Sequence, residues 1–118
     1  MQLSAEDGFL EGPRDQPLLL RAEDASLLVE ACFNGKVRSV LLHALNMTPG
    51  FFDLSSGEAG AILQKLRQYR IRLAVVCVRS SVSFSTHFGA MAAEEARGKH
   101  FGIMESRDAA IEWLRQTG

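Results

Sequence analysis

Between Ala59 and Val78 the chain changes its hydrophobic rhythm once, and that change sets the fold class. Ala59, Ile62, Leu63, Leu66 and Tyr69 follow the spacing of one buried helical face, while Gln64, Lys65, Arg67, Gln68 and Arg70 fill the other side. Ser55 as N-cap places Glu58 at the third helical position, which is the capping-box spacing. Basic residues crowd the last turn, where the helix dipole favours cations. From Ile71 to Val78 every position except Arg72 is apolar, and Ile71, Val75, Val76 and Val78 are β-branched. A short run of that kind, with no alternation, predicts a central parallel strand covered on both faces by helices.

The rest of the chain repeats this unit. Glu23 to Gly35 reads as a helix with Ala25, Leu28, Val29, Cys32 and Phe33 inward and Asn34-Gly35 as its stop. Val37 to Ala44 predicts another buried strand, and Thr48-Pro49 suits the start of a short helical turn. A polar loop from Arg79 to Ser83 leads to a helix over Phe84 to Ala96, with Ser83 or Ser85 as cap and Gly98 as stop. His100 to Met104 predicts a short strand. Ser106 caps a last helix, with Ala110, Ile111 and Leu114 inward and Trp113 half buried. At the N-terminus, Phe9-Leu10 and Leu18-Leu19-Leu20 predict two short strands around a Gly12-Pro13 turn, or else a frayed arm. The acidic Glu6, Asp7, Glu11 and Asp15 predict a solvated edge. The order (ββ)-α-β-α-β-α-β-α predicts one α/β domain, a four- to five-stranded, mostly parallel sheet with flanking helices.

Composition acts mainly by exclusion. The 118 residues, 47% of them hydrophobic, suffice for one domain with its own core. A net charge of −1 gives no general drive toward nucleic acid or an anionic membrane. No run approaches the ~20 apolar residues of a membrane span. The first residues lack the basic and apolar regions of a signal peptide, so a cytoplasmic location is expected. Cys32 and Cys77 sit in apolar contexts and are expected as buried free thiols. His43, His87 and His100 show no ligand spacing, so no metal or other cofactor is expected. His43, between apolar residues, reads as a satisfied core or edge histidine, and the other two as surface residues. Without a G-x-S-x-G elbow, a G-x-G-x-x-G run or a Walker loop, a binding role is expected ahead of an enzymatic one.

The run FFDLSSGEAGAILQKLRQYRIRLAVV, Phe51 to Val76, is similar to the signature of a family of small, mostly bacterial proteins, domain of unknown function 4180. The similarity lies in Phe51-Phe52-Asp53-Leu54, Ala59-Gly60, Ile62-Leu63-Gln64-Lys65, Tyr69 and Leu73-Ala74, and Arg97-Gly98 and the closing helix also fit. Ala61 stands where the family usually has an acid, and Cys77-Val78 where it usually has Gly-Asp. More distantly, Asp53, Ser55, Ser56 and Gly57 resemble the helix start of STAS domains of the anti-anti-sigma type, with Leu54 as one extra residue. That resemblance implies a STAS-like fold and a serine, here Ser56, phosphorylated by a partner kinase to switch partner binding. A phosphate there would meet free backbone N–H groups and the positive end of the helix dipole. Capping alone is the simpler account of Ser55 and Ser56.

These residues support two functional readings. The first is a non-enzymatic regulatory or protein-interaction module acting through Phe51 to Glu58, as a homodimer or with a regulatory partner. It expects Phe51 and Phe52 to be exposed beside Asp53, Glu58 and the phospho-acceptor candidates Ser55 and Ser56. The second is a small-molecule or anion-binding domain, with an enzyme as one form of it, using the loop from Arg79 to Thr86. There Arg79, Ser80, Ser81 and Ser83 follow the carboxyl end of a central strand, where open α/β sheets place ligands.

Overall fold

Five strands lie side by side in their chain order: β1 (Ser4–Glu6), β2 (Phe9–Glu11), β3 (Ser39–His43), β4 (Arg72–Val76) and β5 (Phe101–Met104). The computed structural model describes residues 2–78 and 83–116. β1 and β2 form an antiparallel hairpin, and β2 to β5 are parallel. Helices α1 (Ala25–Gly35), α2 (Glu58–Gln68) and α3 (Thr86–Arg97) connect the parallel strands, and α4 (Arg107–Gln116) follows β5.

Parallel strands laid down in sequence, with crossovers of one hand, send every connecting helix to the same face. The two cores follow that rule. On one face Leu28, Cys32, Ile62, Leu66 and Phe88 pack with Val40, Leu42, Leu73, Val75 and Phe101. On the other, Ala110 and Leu114 of α4 pack with Phe9, Leu41 and Ala74. Leu73, Ala74 and Val75 of β4 are therefore buried on both sides, as the unbroken apolar run predicts. Arg72, the charged residue of that strand, places its guanidinium 4.8 Å from the Trp113 ring centroid. Its Nη1 donates to the Leu114 carbonyl at 2.8 Å, which satisfies the last turn of α4. Gly102 makes room for this: a Cβ there would lie 3.1 Å from the Trp113 ring.

Departures from the sequence-based expectations have local causes. The hairpin turns at Asp7-Gly8, where Gly8 takes the left-handed φ of 87° that glycine adopts without strain. Gly12-Pro13 instead leads out of the sheet, and Leu18 to Leu20 form no strand. Both Leu18 and Leu19 donate their N–H to the Asn46 carbonyl, at 3.3 and 2.7 Å. Phe33, expected inward, is 84% exposed. It follows Cys32 by one residue, a rotation of about 100° away from the buried stripe. Tyr69 lies past the end of α2 with φ −105° and ψ 11°, so it leaves the helical stripe and stands 52% exposed. Thr48-Pro49 starts no helix; a short 3-10 turn, Ala44–Asn46, precedes it.

The Ser55–Glu58 capping box does not form. Asp53 caps a 3-10 turn, Leu54–Ser56, and α2 begins only after Gly57, whose φ is 78°. Ser56 Oγ then accepts from the Glu58 N–H at 3.1 Å. Of the two candidate caps for α3, Ser85 is the one used, so the helix begins at Thr86 rather than Phe84, and Ser106 caps α4 as expected. Among the described residues no helix is long and apolar enough to cross a membrane.

Candidate functional site at the carboxyl edge of the sheet

Strands β2 to β5 run parallel, so their carboxyl ends share one edge. Glu11 of β2 lies opposite Leu41 of β3, and His43, two residues further along β3, points to the same face. The two side chains meet on the α4 side, with Nε2 of His43 2.9 Å from Oε2 of Glu11, and they are only 9% and 10% exposed. A carboxylate so deeply placed needs further donors. Arg107, the first residue of α4, supplies them. Its Nε donates to both Glu11 oxygens at 3.0 and 2.9 Å, and its Nη2 donates to Oε1 at 2.8 Å. Glu6 of β1 lies 3.7 Å from the same Nη2.

Burial alone would raise the Glu11 carboxyl. The hydrogen bonds and charges of Arg107 and His43 outweigh it and hold the group below the usual carboxylate range. The same hydrogen bond and charge raise the Arg107 guanidinium. With Glu11 ionised, Nε2 of His43 carries the proton that bridges them.

Asn46 fixes the backbone beneath this network. It is fully buried, and its Oδ1 accepts from the His43 N–H at 2.7 Å. Its Nδ2 donates to the carbonyls of Pro13 and Gln16 at 2.6 and 2.8 Å. Gly12 permits this approach, because a Cβ there would sit 2.5 Å from Asn46 Oδ1. Beside the network lies an open depression of 360 Å³ whose lining includes Arg14, His43, Val78, Ser106 and Arg107, together with one carboxylate, Glu105. Neither Arg14 nor Nη1 of Arg107 makes a hydrogen bond among the described residues. Both therefore have donors left for the oxygens of an anion. No group of three or more His, Cys, Asp or Glu side chains among the described residues is arranged to hold a metal ion.

Of the residues singled out from the sequence, the segment from Phe51 to Glu58 and Ser83 fall at the same edge, on the side of the three connecting helices. Phe51 is fully buried rather than exposed. The β3–α2 loop folds it into an aromatic cluster, 5.2, 5.6 and 5.8 Å from the ring centroids of Phe52, Phe88 and Phe101. Phe52 is half buried and stacks on Phe84 at 5.3 Å. Ser85 joins the two segments. Its Oγ accepts from the N–H groups of Leu54 and Phe88, at 3.2 and 3.1 Å, and its own N–H donates to the Phe52 carbonyl at 3.1 Å. Phe52, Asp53 and Ser83 thus line one depression of 400 Å³.

Asp53, Ser55 and Ser56 are exposed, and Glu58 is half buried at the start of α2. Asp53 Oδ1 accepts from the N–H and the hydroxyl of Ser55, while the Ser56 hydroxyl donates to the Gly50 carbonyl at 2.7 Å. Arg79, Ser80 and Ser81 lie outside the described residues. His87 and His100 are exposed, as expected. Cys32 and Cys77 are buried free thiols, and burial pushes the Cys32 thiol up to about 11.

Glu11 is the residue that sequence reasoning misplaced, since it is buried rather than solvated. A period-of-two reading of Phe9-Leu10-Glu11 would have put it on the same face as Phe9. Nothing in the sequence signals Arg107 as its partner, 96 residues away.

No curated protein and no solved structure matches the chain. The model of a family described as domain of unknown function (DUF4180) matches residues 5–114, from the first hairpin into α4. The chain therefore belongs to the DUF4180 family.

Proposed function

We propose that the domain is a non-enzymatic binding module whose carboxyl edge takes a small anion, a carboxylate or a phosphate, between Arg14 and Arg107. One observation carries this reading. Glu11 occupies Nε and Nη2 of Arg107 and leaves Nη1 unbonded, in a depression shared with the unpaired Arg14. Guanidinium donors form a fork that fits carboxylate and phosphate oxygens. Val78, the last described residue before position 79 of the expected anion loop, lines the same depression. The test is calorimetric titration of the full chain with phosphate and with acetate. Saturable binding is expected, about tenfold weaker in Arg14→Ala with the unfolding midpoint unchanged. No heat from either anion, or binding indifferent to Arg14→Ala, sinks the reading.

A second reading, a regulatory or protein-interaction module working as a homodimer or with a partner protein, is favoured by a different observation. Ser85 binds both the Leu54 N–H and the start of α3, which couples the exposed Ser55–Ser56 turn to that helix. The Ser56 hydroxyl donates to the Gly50 carbonyl and accepts from the Glu58 N–H. A phosphate on Ser56 would break this clasp and reshape the surface of Phe52 and Asp53. Wild type and Ser56→Asp would be compared as affinity baits and by light scattering. A partner or a self-association that changes between the two supports the reading, and identical behaviour removes it.

A further inference from the structure

The amino edge of the parallel strands carries a different surface. Each connecting helix ends there in a left-handed basic residue: Lys36 (φ 58°), Arg70 (φ 57°) and Lys99 (φ 64°). Glycine would take this conformation without strain, yet the chain places cations at all three helix ends. The helix dipole accounts for cations at such ends. It does not account for the exposed aromatic pair between two of them. Between the ends of α1 and α2 runs a groove of 540 Å³, walled by Phe33 and Tyr69 over Cys32 and Ile71, with Lys36 and Arg38 at its rim. Lys36 and Arg38 make no side-chain hydrogen bond or ion pair among the described residues, and none of the lining residues is acidic. Lys65 adds a further cation, 5.6 Å from the Tyr69 ring centroid.

We propose that this groove binds a free anionic amphiphile, a small molecule with an apolar body and a terminal carboxylate or phosphate. The volume lies within the roughly 300–1,000 Å³ of small-molecule pockets. The apolar body covers Phe33 and Tyr69, whose exposure to water is otherwise unfavourable, and the anionic head meets Lys36 and Arg38. Charge complementarity selects the sign of the head group. The chain as a whole is slightly acidic, with net charge −1, while the side chains at this groove carry only positive charge.

Tyr69 is the single tyrosine of the chain, so fluorotyrosine incorporated into the full protein gives one fluorine resonance at the groove wall. Octanoate, octanol and octylammonium then probe one chain length with three head-group charges. Octanoate should shift the resonance saturably, octanol should bind about five- to tenfold more weakly, and octylammonium should give no shift. The double variant Lys36→Gln with Arg38→Gln should retain octanol binding and lose the preference for octanoate. Phe33→Ser should weaken both ligands. Glutamine carries no more strain than lysine at a positive φ, and circular dichroism checks that both variants keep the fold. Absence of a shift with every probe, equal shifts for all three, or a preference that survives in the double variant would overturn the proposal.

Discussion

The two edges of the parallel sheet handle charge in opposite ways. At the carboxyl edge Glu11, His43 and Arg107 are brought together, and both carboxylate oxygens have partners. At the amino edge Lys36 and Arg38 stand unpaired beside exposed Phe33 and Tyr69. A buried ionic cluster depends on all its members, because removing one strands the others without solvent. Unpaired surface cations next to apolar side chains lose nothing when replaced. The carboxyl edge should therefore behave first as part of the fold, binding only through the donors that Glu11 leaves free. The amino edge should behave as a surface on which the fold does not depend.

The largest effect should come from Glu11→Ala. It leaves the His43 ring and the Arg107 guanidinium without their shared acceptor and should cost about 3 kcal/mol in urea unfolding at neutral pH. Arg107→Ala should act in the same direction, since it also releases the start of α4 from β2. A loss well under about 1 kcal/mol in Glu11→Ala would mean that the network is a surface ion pair, and the contrast between the edges would collapse. Asn46→Ala comes next, at about 2 kcal/mol, because it orphans the buried His43 N–H and releases the Pro13 and Gln16 carbonyls. Hydrogen exchange should show the segment between Gly12 and Leu19 opening first in that variant.

Acid probes the same edge without a mutation. The folded chain holds the Glu11 carboxyl below its ordinary value of 4.5, to which the unfolded chain returns it. Above that value both states are ionised and the contribution is whole. As the pH falls between the unfolded value and the lower folded one, the unfolded chain binds a proton that the folded chain does not, so stability declines. The slope for one such proton is at most about 1.4 kcal/mol per pH unit. Urea titrations from about pH 5 to about pH 3 should show Glu11→Gln with a shallower slope than wild type. Parallel slopes would assign the acid sensitivity to other carboxylates.

What the sequence reveals divides along similar lines. The α2–β4 unit is legible because its evidence is local: one change of rhythm from Ala59 to Val78, with Leu73 to Val75 buried as an unbroken apolar run requires. The caps Ser85 and Ser106 are legible for the same reason. The Glu11–Arg107 contact is not, since it depends on the β2–β3 register and on α4 taking the opposite face from α1 to α3. Phe51 fails differently. Two consecutive phenylalanines in a loop carry no period, and only the tertiary cluster decides that the first is buried and the second half exposed. Ser85 shows both sides at once, because its cap to Phe88 follows from spacing while its bond to Leu54 does not.

The smallest expected effect is the sharpest test of the amino edge. Phe33→Ser removes a side chain that is 84% exposed and should change unfolding free energy by less than about 0.5 kcal/mol. Tyr69→Ser, past the end of α2 and half exposed, should do little more. Equal stability in both variants would mean that nothing in the isolated fold requires these aromatic rings. Their presence between unpaired Lys36 and Arg38 would then have to be explained by what they contact outside the chain. A loss of 2 kcal/mol or more would place the rings among the supports of α1 and α2 (on the order of a core truncation). It would also make the amino edge as much a part of the fold as the carboxyl edge.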